Sequence, residues 1–116
     1  MFIEPINTSK DSLELVGGKG RSLARMTNAG FDVPGGFLVT ADTYRAFIAE
    51  NNLQSQILES ASPELRDGYP VFDACAEKIR ALIMSRSIGD AMSADIKAAY
   101  SNLDQEQISV AVRSSA

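Results

Sequence analysis

Three glycines crowd one lysine in Val16-Gly17-Gly18-Lys19-Gly20, and an amphipathic run from Arg21 to Asn28 follows at once. No other stretch limits the fold as much. The spacing predicts a helix starting at Gly18, where the first backbone N–H groups lack partners and the helix dipole leaves partial positive charge. A first turn of that kind prefers Asp or Glu, yet it holds Lys19 and Arg21 and no acid. A bound anion would relieve the repulsion and accept hydrogen bonds from the N–H groups of Gly17, Gly18 and Gly20 and from the Lys19 ammonium. The plainer reading is a glycine turn beside a solvated lysine. A P-loop is not supported, because Leu13 stands where its first glycine belongs and Gly20 stands where Ser or Thr should follow the lysine.

The totals narrow the chemistry. A chain of 116 residues is one domain, small for a complete multi-substrate enzyme. A net charge of -4 argues against general nucleic-acid binding, which needs a basic face, so any polyanion must be gripped locally. The chain has no histidine, which excludes a His-based triad, a His-liganded metal and a phosphohistidine within it. Its single cysteine, Cys75, rules out an internal disulfide, fits a reducing cytoplasm and lies on the apolar side of a helical pattern. Glu4 comes early and no apolar run approaches ~20 residues, so neither a signal peptide nor a membrane span is expected. Together these favour a cytoplasmic protein.

Along the chain, Met1 to Ile6 reads as an edge strand or a strapped-down arm, with Pro5 excluding a central strand. Asn7 to Ser12 is turn-like. In the helix Gly18–Asn28, the pattern puts Lys19, Leu23 and Met26 on the buried side, and Gly30 suits the stop. Phe37–Thr40 reads as a strand, and Thr40 then caps a helix Ala41–Glu50 whose face is Tyr44, Phe47 and Ile48. A weaker helical piece spans Leu53 to Ser60, and Ser62-Pro63 suits the start of another short turn. Two further helices are expected over Val71–Arg86 and Ala91–Leu103, carrying Phe72, Cys75, Ile79, Leu82 and Ile83, then Met92, Ile96, Ala99, Tyr100 and Leu103.

The last segment changes period. Over Gln107–Arg113, Ile108, Val110 and Val112 fall on one face and Ser109, Ala111 and Arg113 on the other, the pattern of a strand. The segment ends with Ser114, Ser115 and Ala116, where a turn should begin, so the chain reads as part of something longer. Arg113 is either a charge at a strand end or a second phosphate ligand, since a guanidinium can hold two phosphate oxygens.

Read together, Val16-Gly-Gly-Lys-Gly, Val33-Pro-Gly-Gly-Phe-Leu-Val-Thr and Val110-Ala-Val-Arg-Ser-Ser-Ala resemble the N-terminal nucleotide-binding domain of the phosphoenolpyruvate-utilising dikinases. That family includes phosphoenolpyruvate synthase, pyruvate phosphate dikinase and the rifampicin phosphotransferases. The resemblance runs from about Val16 to Ala116. It implies an ATP-grasp-type fold, here the helix-rich α+β first lobe, in which Lys19 and Arg113 contact the phosphates of ATP. Gly17, Gly18 and Gly20 would form the phosphate loop, while Ser114 and Ser115 shape the turn. In the family, phosphate passes from ATP to a histidine on a separate swivelling domain. Positioning and charge neutralisation are what such a transfer needs.

The departures set the expectations for this chain. The family's acidic, glycine-bearing continuation, its second lobe with the carboxylates that hold magnesium, and its carrier histidine are not in the sequence. The chain alone is therefore expected to be catalytically silent, with the nucleotide, the second lobe and the phosphohistidine domain as partners, and self-association through the uncovered lobe surface as a further expectation. Gly20, where the synthase branch often carries Asn, is closer to the dikinase and rifampicin phosphotransferase versions. A rifampicin phosphotransferase lobe and a non-catalytic interaction module remain the alternative readings.

Overall fold

The computed structural model describes residues 2–7, 12–103 and 109–115. Among the described residues the fold is mixed α+β, with five helices and two small antiparallel sheets. Two compact units emerge, one built from residues 1–45 and 90–116 and the other from residues 46–89.

In the first unit, β1 (Ile3–Pro5) pairs antiparallel with β2 (Phe37–Val39), Glu4 lying opposite Leu38. Both are edge strands, and Pro5 ends β1, a position that an imide without N–H tolerates. Strand order brings the N-terminal arm to the start of α2 (Ala41–Glu50). There the Phe2 carbonyl accepts from the Thr40 N–H at 3.0 Å, the Thr40 hydroxyl at 3.2 Å and the Thr43 hydroxyl at 2.6 Å. Thr40 and Thr43 are both buried, so their hydroxyls are satisfied in the place where leaving them unpaired would cost most.

α1 (Leu13–Asn28) packs on β2, and α5 (Asp90–Ser101) packs on both strands with Met92 buried. α1 ends as expected: the Phe31 N–H reaches the Met26 carbonyl and the Gly30 N–H the Thr27 carbonyl, the paired bonds of a Schellman stop. Its buried stripe differs from the expected one. Val16, Gly20 and Ala24 are buried, whereas Lys19 and Met26 are exposed. Spacing of large residues pointed to Leu23 and Met26, but the helix comes so close to its neighbours that small residues occupy the packed face. A Cβ on Gly20 would already stand 3.3 Å from the Leu38 Cδ1.

The second unit holds the end of α2, α3 (Gln54–Ser60), a hairpin and α4 (Asp73–Met84). Its core is Phe47, Ile48 and Leu53, the last 0% exposed. α3 and α4 pack on each other, with Cys75, Ile79, Leu82 and Ile83 half-buried and the Cys75 thiol donating to the Phe72 carbonyl at 3.2 Å.

Several sequence expectations need correction. Ser62-Pro63 starts no helical turn; β3 (Glu64–Arg66) and β4 (Tyr69–Val71) form a hairpin instead, so Val71 is strand rather than helix and α4 begins at Asp73. The hairpin turns on Asp67 and Gly68, both with positive φ (52° and 80°), the two-residue reversal that matches strand twist. Among residues 109–113 no strand forms; Gln107 and Ile108 lie outside the described residues. A strand is defined by its ladder, and among the described residues the β1–β2 sheet takes only β1 and β2. Tyr44, Phe72 and Tyr100 are exposed rather than part of their helical stripes.

Leu53 has the largest side chain of those buried completely. Leu53→Ala should therefore lower stability by about 2–5 kcal/mol in urea unfolding followed by circular dichroism, against about 1 kcal/mol or less for the exposed Leu58→Ala.

Candidate functional site

The glycine-lysine stretch is a break inside α1. Helical residues Leu13–Val16 lead to Gly17 at φ 72°, ψ 177°, and the helix resumes at Gly18. That backbone conformation is essentially open to glycine alone, so Gly17 both interrupts the helix and fixes where its longer part begins. The start at Gly18 is where the sequence places it.

Into this break fits Ser115, nearly the whole chain away in sequence. The Lys19 N–H donates to the Ser115 carbonyl at 3.1 Å and the Gly20 N–H to the Ser115 Oγ at 2.8 Å. The Ser115 hydroxyl in turn donates to the Val16 carbonyl. One serine thus joins the last carbonyl before the break to the first free N–H groups after it. The approach is close: a Cβ on Gly17 would stand 2.6 Å from both the carbonyl oxygen and the Oγ of Ser115, and one on Gly20 3.1 Å from the Oγ. Gly18 is different, because a Cβ there would meet the Ser115 carbonyl at an ordinary 3.9 Å.

These contacts redistribute the roles read from the sequence. Of the amides offered to an anion, that of Gly20 is bonded to Ser115, as is the neighbouring Lys19 amide. Lys19 and Arg113 are both exposed, and among the described residues neither forms an ion pair. Their backbones are brought together by Ser115: two residues span at most about 7 Å, so the hydrogen bond from Lys19 to Ser115 keeps the Lys19 and Arg113 Cα atoms within about 15 Å of each other. Two long cationic side chains across that gap can converge on one polyphosphate. Ser115 itself, assigned above only to a turn, is the residue that ties the two motifs. The signal was present in the Arg-Ser-Ser-Ala run, but nothing in its spacing reveals a partner 95 to 99 positions earlier. Ser114 is exposed, and Ala116 lies outside the described residues.

Among the described residues no three or more His, Cys, Asp or Glu side chains cluster in a way that could hold a metal. Nor is any helix there long and apolar enough to cross a membrane.

The sequence from residue 13 to 116 matches the family model described as the pyruvate phosphate dikinase AMP/ATP-binding domain. The chain belongs to that family. Among curated relatives it is similar to a probable phosphoenolpyruvate synthase of Methanocaldococcus jannaschii, 38% identical over an alignment of 112 residues, covering 93% of this chain and 9% of the relative. The phosphoenolpyruvate synthase of Pyrococcus furiosus is 34% identical over 144 residues, covering 93% of the chain and 18% of the relative. That of Neisseria meningitidis is 36% identical over 118 residues, covering 95% and 15%. The chain thus spans less than a fifth of the length of each of these relatives. Both motifs joined by Ser115 lie inside the region matched by this AMP/ATP-binding family.

Gly17→Ala and Gly30→Ala separate two costs. Gly30 has φ 87° with open space around it, so its substitution should cost about 1–2 kcal/mol from backbone conformation alone. Gly17→Ala adds a collision with Ser115. It should be the more destabilising in urea unfolding, and only it should abolish hydrogen-exchange protection at the Lys19 and Gly20 amides.

Proposed function

We propose that this chain is the first lobe of an ATP-grasp-type nucleotide-binding domain in a phosphoenolpyruvate synthase or pyruvate phosphate dikinase-like phosphotransferase, and that Lys19 and Arg113 hold the ATP phosphates. The observation that supports the reading is the seating of Ser115 in the α1 break, which draws the arginine-bearing segment to the lysine-bearing helix start. Phosphoryl transfer asks the protein mainly to position the transferred group and to offset charge on its oxygens. A lysine supplies a compact point charge, and an arginine supplies a fork that spans two oxygens, so the pair can fix a triphosphate both in place and in orientation.

In this reading magnesium would be held by carboxylates supplied from outside the chain and would offset charge on the phosphates. The phosphate leaves ATP for a histidine on another domain, since the chain itself contains none. This lobe binds and orients; the acceptor is chosen elsewhere. Kinase and transferase activity therefore belong to the whole enzyme, in the cytoplasm, and the 116 residues alone should turn over no ATP. The lobe surface that would meet the rest of such an enzyme is also where copies of the isolated chain would self-associate.

Calorimetric titration of MgATP into the wild type, Lys19→Ala and Arg113→Ala tests the assignment. Each substitution should weaken binding by about tenfold, the loss of one charge-assisted contact. Equal affinity in all three proteins would remove both residues from the phosphate site.

A further inference from the structure

We infer that Ser115 is a positioning residue of the phosphate site: through its three hydrogen bonds to the α1 break it sets where Arg113 stands relative to Lys19. The inference rests on the reading of Lys19 and Arg113 as phosphate ligands, but its geometric half stands independently. Ser115 reaches the break with its side chain and its backbone at once. Its hydroxyl bridges the Val16 carbonyl and the Gly20 N–H, and its carbonyl takes the Lys19 N–H. The bonds therefore sit on both sides of Gly17 and on the backbone of the proposed lysine ligand itself.

Residues 109–115 belong to no strand or helix, and Ser109 to Ser114 are exposed, Val112 at 93%. Arg113 lies two residues from the one half-buried position in that segment. The hydroxyl matters more than bulk here. Space around Ser115 is closed by the glycine backbone on one side, and a side chain without a hydroxyl would leave the Gly20 N–H and the Val16 carbonyl without this partner. Precise placement is what a two-cation clamp needs, because misplacing one ligand by about 1 Å can cost far more than its own contact.

The test separates geometry from ligand binding. Spin labels at Lys19→Cys and Arg113→Cys, in a Cys75→Ser background, report the distance between the two positions with no ligand present. A single narrow distribution is expected with Ser115, a broad one with Ser115→Ala, and a narrow one again with Ser115→Thr, which keeps the hydroxyl. Circular dichroism of each variant controls for loss of fold. An unchanged distribution in a folded Ser115→Ala protein overturns the inference, as does a Ser115→Thr protein as broad as Ser115→Ala. In the label-free proteins, inorganic tripolyphosphate is then titrated by calorimetry. Ser115→Ala should weaken binding roughly tenfold, comparable to removing one charge-assisted contact, and Ser115→Thr should restore it. Label distances that respond to Ser115 while Lys19→Ala and Arg113→Ala leave tripolyphosphate binding unchanged would overturn the phosphate reading and retain the positioning role. Binding that depends on Lys19 and Arg113 but not on Ser115 would overturn the positioning role alone.

Discussion

The hydrogen bonds between Ser115 and the break in α1 are what the candidate site depends on. A helix start exposes N–H groups that must find acceptors, and here two of them find the carbonyl and hydroxyl of a residue from the far end of the sequence. The same contact explains why glycines flank the lysine. At Gly17 the backbone conformation excludes other residues, and the oxygen atoms of Ser115 fill the space where a side chain would begin. A glycine-rich stretch before a helix invites the idea of a loop wrapped around a bound anion. In this structure the protein's own serine takes the Lys19 and Gly20 amides of that stretch, and the Lys19 side chain is exposed.

The packing follows from this closeness. A helix held against a serine and a leucine by its backbone must present small residues, and Val16, Gly20 and Ala24 repeat every fourth position along the contact. Lys19 is thereby turned away from the core, which keeps its ammonium in solvent and available.

Much of this was legible in the residues. Ala41–Glu50 had a threonine before it, an acid in its first turn and an unbroken apolar period, and it forms as read. Gly30 ends α1 because its stop signal is local. What could not be read is whatever depends on distant partners. The hairpin at Glu64–Val71 carries no apolar alternation, since nearly all its residues are exposed, and Pro70 argues against a strand; only Asp67-Gly68 marked it. The alternation of residues 109–113 is real, but alternation describes side chains, whereas a strand needs a neighbouring backbone. Of the site, Lys19, Arg113 and the glycines were visible as motifs. Their connector was not, because a serine in a turn and a serine seated in a helix break look alike in sequence.

The bond from Ser115 to Val16 closes a loop of 99 positions, the longest sequence separation among the side-chain hydrogen bonds described above. Contacts of that kind are costly in chain entropy and come after local helices and hairpins have formed. The junction of lysine and arginine segments is thus among the last parts of the first unit to assemble and, held by one residue rather than a ladder, among the first to open. A protein built this way need not unfold to lose that junction: releasing a single serine removes all three hydrogen bonds across the break and takes none from within a helix.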